Sequence, residues 1–394
     1  MRLAIPALKY ANSVIIIESW NRVVRNVRLL IVTFDPPENV GGVEGRARAY
    51  TEELLKKRNF VEIISFGSEH VFNSENFHGA KLWKYPSLTK SVPRTFRLAV
   101  KEITKNRIES VFLLSGALTF FGILLLFYGR IVGLRTGIFL YGKDILETSR
   151  SPFGRVTLVL SQFLARRIMV NSRFTESLLS RAFRRKIRIL YPGIDPSMLD
   201  NENVKETPDE KARRILFVGR LVRRKGVDDL LAAFKSITVD IPDSELDIVG
   251  DGPELLRLEK LTYEMDLSRQ VKFYGNLRGR PLFERYRAAD VFVMPSRRTK
   301  TDVEGFGTVF LEAAMFGKPS IGTISGGIPE AVLDNVTGIL IEEGDVRALK
   351  ASIEMLLKDE ELRLRLGTCA RERVLSNFTW GDSTNSLVKA FSER

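Results

Sequence analysis

Two histidines (His70, His78), two glutamines (Gln162, Gln270) and one cysteine (Cys369) are all that this 394-residue chain holds of these three types. A lone cysteine excludes an intramolecular disulfide and fits a reducing, cytoplasmic setting. No Cys-x-x-Cys pair and no histidine cluster supplies metal-ligand spacing, so neither a metal nor another cofactor is expected. Scarce glutamine fits a thermophilic source. A secretory leader is not expected: the apolar run Val14–Ile17 meets Glu18, and no small-residue cleavage site follows. Residues 1–26 are read as an N-terminal extension. It either packs on the body or lies at an interface through Trp20, Arg22, Arg25 and the following Arg28.

Positive charge is plentiful and unevenly spread. Up to Gly193 there are 31 Lys and Arg against 14 Asp and Glu, and beyond it 30 against 34. A basic first half points to a polyanionic partner, with an anionic membrane surface favoured over nucleic acid. Arg94, Arg97, Lys101 and Lys105 recur at intervals of three and four, which lines them along one helix face. Such a face is either simply solvated or able to dock on anionic headgroups.

The length predicts two domains. From Val27 the pattern alternates: a strand over Val27–Phe34, a loop ending in Gly41-Gly42, a helix over Val43–Arg58 and a strand over Val61–Phe66. Strand, glycine loop, helix, strand opens a Rossmann-like unit, although Gly41-Gly42 is not a Gly-x-Gly-x-x-Gly fingerprint. Val111–Tyr128 is eighteen residues without a charge, long enough for a membrane span. The Ser115-Gly116 interruption and strand-like flanks instead predict a buried strand, a turn and a helix over Leu118–Gly133. Tyr141-Gly142-Lys143-Asp144 stands at the carboxyl end of the next strand, where ligands of open α/β sheets bind. The alternation pauses in a polar linker over 196–213 and restarts at Ile215. The expected domains are therefore 27–195 and 214–394, with the last helix free to cross back to the first.

In the second half, Gly219-Arg220 and Arg223-Arg224-Lys225-Gly226 place cations at the mouth of a strand-to-helix loop, suited to phosphate. Glu304 and Glu312 stand with seven residues between them, and Gly305-Phe306-Gly307-Thr308 leads from the first carboxylate into an apolar helix. Backbone N–H groups at such a helix start attract phosphate oxygens. Two α/β halves joined by a linker place the default binding site in the cleft between them.

These motifs resemble those of the retaining glycosyltransferases of family 4. The residues that carry the resemblance are Gly219-Arg220 with Lys225-Gly226, Gly250-Asp251-Gly252-Pro253, Ala289-Asp290-Val291 with Pro295-Ser296, Glu304 through Glu312, and Gly326-Gly327-Ile328-Pro329-Glu330 followed by Gly338. The resemblance implies a GT-B fold, α/β with two Rossmann-like domains, and metal-independent transfer of a sugar from a nucleotide-diphosphate donor to an acceptor hydroxyl with retention. It implies that Arg220 and Lys225 hold the diphosphate, that Glu304 meets sugar hydroxyls and that the Phe306-Gly307 backbone, leading to Thr308, meets sugar or phosphate. Glu312 would accept from the ribose, Asn276 and Leu277 would lie by the base, and Gly41-Gly42 would face the donor. Many relatives have His-Gly-x-Asp where this chain has Tyr141-Gly142-Lys143-Asp144. A tyrosine donates a hydrogen bond but is a poor base near neutral pH; the resemblance, by position, implies catalytic roles for Tyr141 and Asp144. The basic first half is expected to take a carbohydrate or lipid-linked acceptor at a membrane surface. Two other readings share these features: a nucleotide-sugar epimerase, and a non-catalytic basic protein on a transferase scaffold.

Overall fold

The computed structural model describes residues 27–34, 42–66, 73–85, 92–199, 213–300 and 302–393. Gly41 and residues 1–26 lie outside them. The first unit runs β1 (Arg28–Thr33), α1 (Gly42–Lys56), β2 (Phe60–Phe66), β3 (Asn73–Phe77), β4 (Ala80–Tyr85), α2 (Val92–Lys105), β5 (Ser110–Leu113), α3 (Phe120–Val132), β6 (Arg135–Leu140), α4 (Gly142–Thr148), α5 (Pro152–Leu164), β7 (Arg167–Val170), α6 (Arg173–Ser177) and β8 (Ile187–Ile189). Its strands form one sheet in the order β3-β4-β2-β1-β5-β6-β7-β8, parallel except where β3 turns back on β4. Alternate side chains fill two cores. Leu30, Val32, Val111 and Leu113 face α2, α3 and α5; Leu29, Ile31, Phe112 and Leu114 face α1. Strands buried on both faces read as continuous apolar runs, which is why β1 and β5 stand out in the sequence.

The uncharged stretch Val111–Tyr128 divides as its Ser-Gly interruption predicts. β5 ends at Leu113, and Thr119 caps α3 by accepting from the Gly122 N–H at 3.1 Å. No described helix is long and apolar enough to cross a membrane.

The second unit runs β9 (Arg213–Val218), α7 (Val227–Asp240), β10 (Ser244–Val249), α8 (Leu255–Glu264), β11 (Val271–Phe273), α9 (Arg280–Ala288), β12 (Val291–Met294), α10 (Thr308–Met315), β13 (Ser320–Thr323), α11 (Ile328–Ala331), β14 (Gly338–Ile341), α12 (Val346–Lys358), α13 (Glu360–Asn377) and α14 (Trp380–Ser392). Its sheet is parallel throughout, in the order β11-β10-β9-β12-β13-β14. The strand order reverses between β9 and β12, which are hydrogen-bonded neighbours. The loops leaving these two strands therefore diverge and open a crevice at their carboxyl ends.

Ile194 already packs in the second core and bridges Thr379, and β9 begins at Arg213. Ile194 is apolar and joins that core, and its N–H donates to the Phe378 carbonyl at 2.7 Å. α14 leaves that unit and packs on α1 of the first. Tyr50 Oη lies 2.9 Å from Ser383 Oγ, and Arg167 donates to the Ala390 carbonyl at 3.0 Å.

Candidate active site

The crevice between β9 and β12 gathers charges that are far apart in sequence. After β9 the chain makes a short 3-10 turn over Arg223–Lys225, closed by Gly226 at φ +68°. A Cβ at Gly226 would collide with the Pro295 carbonyl, so only glycine lets this loop lie against the one that follows β12. The turn points Arg224 and Lys225 inward onto Glu304. Arg224 Nη1 donates to Glu304 Oε2 at 2.7 Å and Lys225 Nζ to the same oxygen at 2.6 Å. Arg224 also reaches Asp302 at 2.9 Å, and Arg297 pairs with Asp228 and Asp229. The two loops are thereby clamped by ion pairs.

Burial alone would push the Glu304 carboxyl up. The Lys225 ammonium and Arg224 guanidinium outweigh it and hold the group at about 2, well below the ordinary value of 4.5. Glu312 has the opposite environment. It sits on α10, burial raises its pKa, and the hydrogen bond from Tyr286 Oη at 2.7 Å opposes that rise. Two carboxylates flanking one helix start are thus differently tuned: Glu304 is fixed as an anion and Glu312 is easier to protonate.

Between them, Phe306 is buried, with its ring 5.4 Å from Tyr191 and 5.7 Å from Phe378. Gly307, at φ +86°, starts α10, and half-buried Thr308 is the helix's first residue. The loop Ser325–Glu330 lies directly on this segment. The Gly327 N–H donates to the Glu304 carbonyl at 2.9 Å, and a Cβ at Gly326 or Gly327 would strike the Glu304 or Gly305 carbonyl. Asn276 is exposed just past β11, and Leu277 beside it packs against the second core.

Arg220 does not join this cluster. It is exposed at the end of β9, while its neighbour in the turn, Arg224, takes the inward position. The sequence shows the run Arg223-Arg224-Lys225 but not which member points inward, because that depends on the turn's handedness.

The first unit closes the other side. Asn171, at the end of β7, meets Gly305 so closely that a Cβ there would stand 2.6 Å from its Nδ2. A Cβ at Gly142 would stand 3.5 Å from Val303 Cγ1. Tyr141 precedes α4, and Asp144 lies half-buried in its first turn. The Tyr141 ring stacks near Phe139, and the buried Arg46 guanidinium lies 4.5 Å above the Phe139 ring while donating to the Leu190 carbonyl at 3.1 Å. Of the Gly41-Gly42 pair, Gly42 opens α1. Among the described residues no three His, Cys, Asp or Glu side chains group as metal ligands.

Glu330 joins the two units, a role that its place at the end of Gly326-Gly327-Ile328-Pro329-Glu330 does not reveal in the sequence. Its carboxylate accepts from the Arg173 and Phe174 N–H groups at 2.9 and 3.1 Å, and from Tyr191 Oη at 2.9 Å. It thus caps α6 of the first unit from the second. Arg373 of α13 fixes it in turn, donating to the Glu330 and Ala331 carbonyls at 2.7 and 2.8 Å.

Two doubly wound units that meet at the carboxyl ends of their strands, with a cation-lined crevice in the second, define the GT-B architecture. Residues 200–373 match the family model for glycosyl transferases group 1. The GDP-mannose-dependent alpha-(1-6)-phosphatidylinositol monomannoside mannosyltransferase of Mycolicibacterium smegmatis is 29% identical over 385 residues, covering 93% of this chain and 98% of that protein. In fold, the chain is similar to Anabaena HepE in complex with UDP and glucose, with a TM-score of 0.74 at 18% identity, covering 93% of this chain and all of that one. It is also similar to a sucrose-phosphate synthase from Thermosynechococcus elongatus, with a TM-score of 0.71 at 22% identity, covering 92% and 98%. The chain is a glycosyltransferase of the GT-B fold, a hexosyltransferase by class.

Proposed function

We propose that the protein transfers a hexose, with retention, from a nucleoside-diphosphate sugar to a hydroxyl of a lipid-borne acceptor. Mannose from GDP-mannose and a phosphatidylinositol-type acceptor are the first pair to test. The observation that carries this reading is the convergence of Lys225 and Arg224 on Glu304 at the crevice mouth.

In this reading the diphosphate lies against Lys225, exposed Arg220 and the start of α10. Fixed positive charge there stabilises the negative charge that grows on the leaving phosphate, and does so without a metal. An ammonium carries three N–H donors; Lys225 directs one to Glu304 and one to Met294 Sδ at 3.2 Å, which leaves the third for a phosphate oxygen. Glu304, ionised at all ordinary pH values, accepts from sugar hydroxyls. Glu312 accepts from the ribose. Asn276 and Leu277 flank the base. Acceptor deprotonation by the departing phosphate suits a site whose first-unit wall offers Tyr141 rather than histidine. The relative of known lipid acceptor, similar along almost its whole length, supports the acceptor class, as does the basic first unit.

The test incubates the protein with GDP-mannose, UDP-glucose or ADP-glucose and phosphatidylinositol vesicles, then determines the product's anomeric configuration by NMR. Retained configuration on a lipid product is expected. Inverted product, or sugar isomerised in the absence of any acceptor, overturns the reading.

A further inference from the structure

α3 and α5 lie side by side on one face of the first sheet, and each is apolar on both its sides. The inward sides, with Phe121 and Leu125 on α3 and Leu158 on α5, are buried in the core. The outward sides are apolar too: Phe120 and Ile131 are each 69% exposed, Phe127 54% and Phe153 78%, with Val156 and Phe163 beside them. On α3 these positions recur at intervals of seven and four, and on α5 at three and seven, so each set forms one stripe. The stripes are joined at the helix ends, where the Arg130 guanidinium lies 5.2 Å from the Phe163 ring.

Neither helix contains an acidic residue. Both flanks are basic. α2, which meets α3 through Phe96 and Tyr128, exposes Arg97 and Lys101. On the other side the 3-10 turn Arg181–Lys186 carries four cations, and Lys186 caps α5 through the Gln162, Phe163 and Ala165 carbonyls. Apolar stripes between cations match a leaflet with apolar chains below anionic headgroups. A second copy of this chain fits poorly, because pairing the face with itself would bring like charges together.

We propose that the outward faces of α3 and α5 insert into the surface of an anionic bilayer, with the flanking cations on its headgroups. Phe120 and Phe153 begin their helices at or near the carboxyl end of the sheet, the edge that faces the second unit. Docking on this face brings that edge to the bilayer, where a lipid-borne acceptor would be presented. The link to catalysis rests on the proposed lipid acceptor; the docking itself does not.

Flotation with vesicles of phosphatidylcholine alone, or mixed with phosphatidylglycerol, tests the surface. The full chain should float with the anionic vesicles and much less with the neutral ones. Phe127→Ser with Phe153→Ser should weaken partition about tenfold or more, and Arg184→Glu should weaken it at low salt. Both variants should keep the wild-type melting temperature, since the replaced side chains are outside the core. Wild-type partition by the double serine variant, equal affinity for neutral vesicles, or dimerisation abolished by the serine changes would each overturn the proposal. A wild-type chain that floats but glycosylates no lipid sinks the acceptor assignment and leaves the docking surface standing.

Discussion

Lys225 Nζ stands 2.6 Å from Glu304 Oε2, although 79 positions separate the two residues. Each lies on a loop leaving one of the neighbouring strands β9 and β12, so the reversal of strand order brings them together. Removing the lysine should cost catalysis more than folding. Lys225→Ala is expected to lower kcat about a hundredfold or more, as loss of a fixed transition-state charge does, while Arg224 still balances Glu304. Lys225→Arg should restore little, because a planar guanidinium does not replace a compact ammonium. Initial rates alongside thermal melts check this; a kcat within a few-fold of wild type in Lys225→Ala would sink the assignment.

The same pair governs acid stability. Glu304 is held at about 2 against an ordinary 4.5, so its contribution is fully present above pH 4.5 and is lost as pH falls towards 2. By linkage that contribution is about 3 kcal/mol. Denaturant unfolding measured across this window should show Glu304→Gln with a flatter pH dependence than wild type. Parallel curves would contradict the ion-pair account.

Glu312 predicts a pH effect on binding instead. Burial raises its pKa, and a protonated carboxyl loses the charge and one of the two oxygens with which the carboxylate accepts from ribose hydroxyls in the proposed complex. Affinity for the nucleotide sugar should fall as pH is lowered through that raised value. Tyr286→Phe removes the hydrogen bond that opposes the rise, so the fall should move to higher pH. Calorimetric titration over pH is the check, with Glu312→Gln expected to show no such transition; an unchanged transition in that variant would place the titrating group elsewhere.

Glu330 should set how firmly the two units are held. Glu330→Ala removes two bonds to the start of α6 and the one from Tyr191, at a cost of about 1–3 kcal/mol. The expected result is a larger radius of gyration in small-angle scattering and a raised KM. Glu330→Gln keeps one acceptor oxygen and should be intermediate. Unchanged scattering in Glu330→Ala would show that other contacts suffice.

Gly326, at φ +55°, has no room for a side chain above the Glu304 carbonyl. Gly326→Ala is expected to destabilise by about 1–3 kcal/mol and to displace the Glu304 segment. A near-normal melt together with full activity would mean the loop moves aside freely.

The alternation of apolar runs with glycine loops was enough to read two parallel α/β units, because strands buried on both faces have no polar positions to hide them. β3 and β4 were not legible. Their polar edge segment lacks such a run, and only pairing with β2 makes it a strand. Within the site, the sequence displayed the cations, the glycines and both glutamates, since each lies on the loop or helix that follows a strand. It did not show that Arg224, rather than Arg220, would turn inward. That is decided by a 3-10 turn pressed against Pro295. Nor did it show that Glu330 would cap a helix of the other unit, a contact 156 or more positions long. Hydrophobic periodicity is a local record of burial, and it determined the fold. The partners of the charged groups come from loops distant in sequence, and only the tertiary structure decided them.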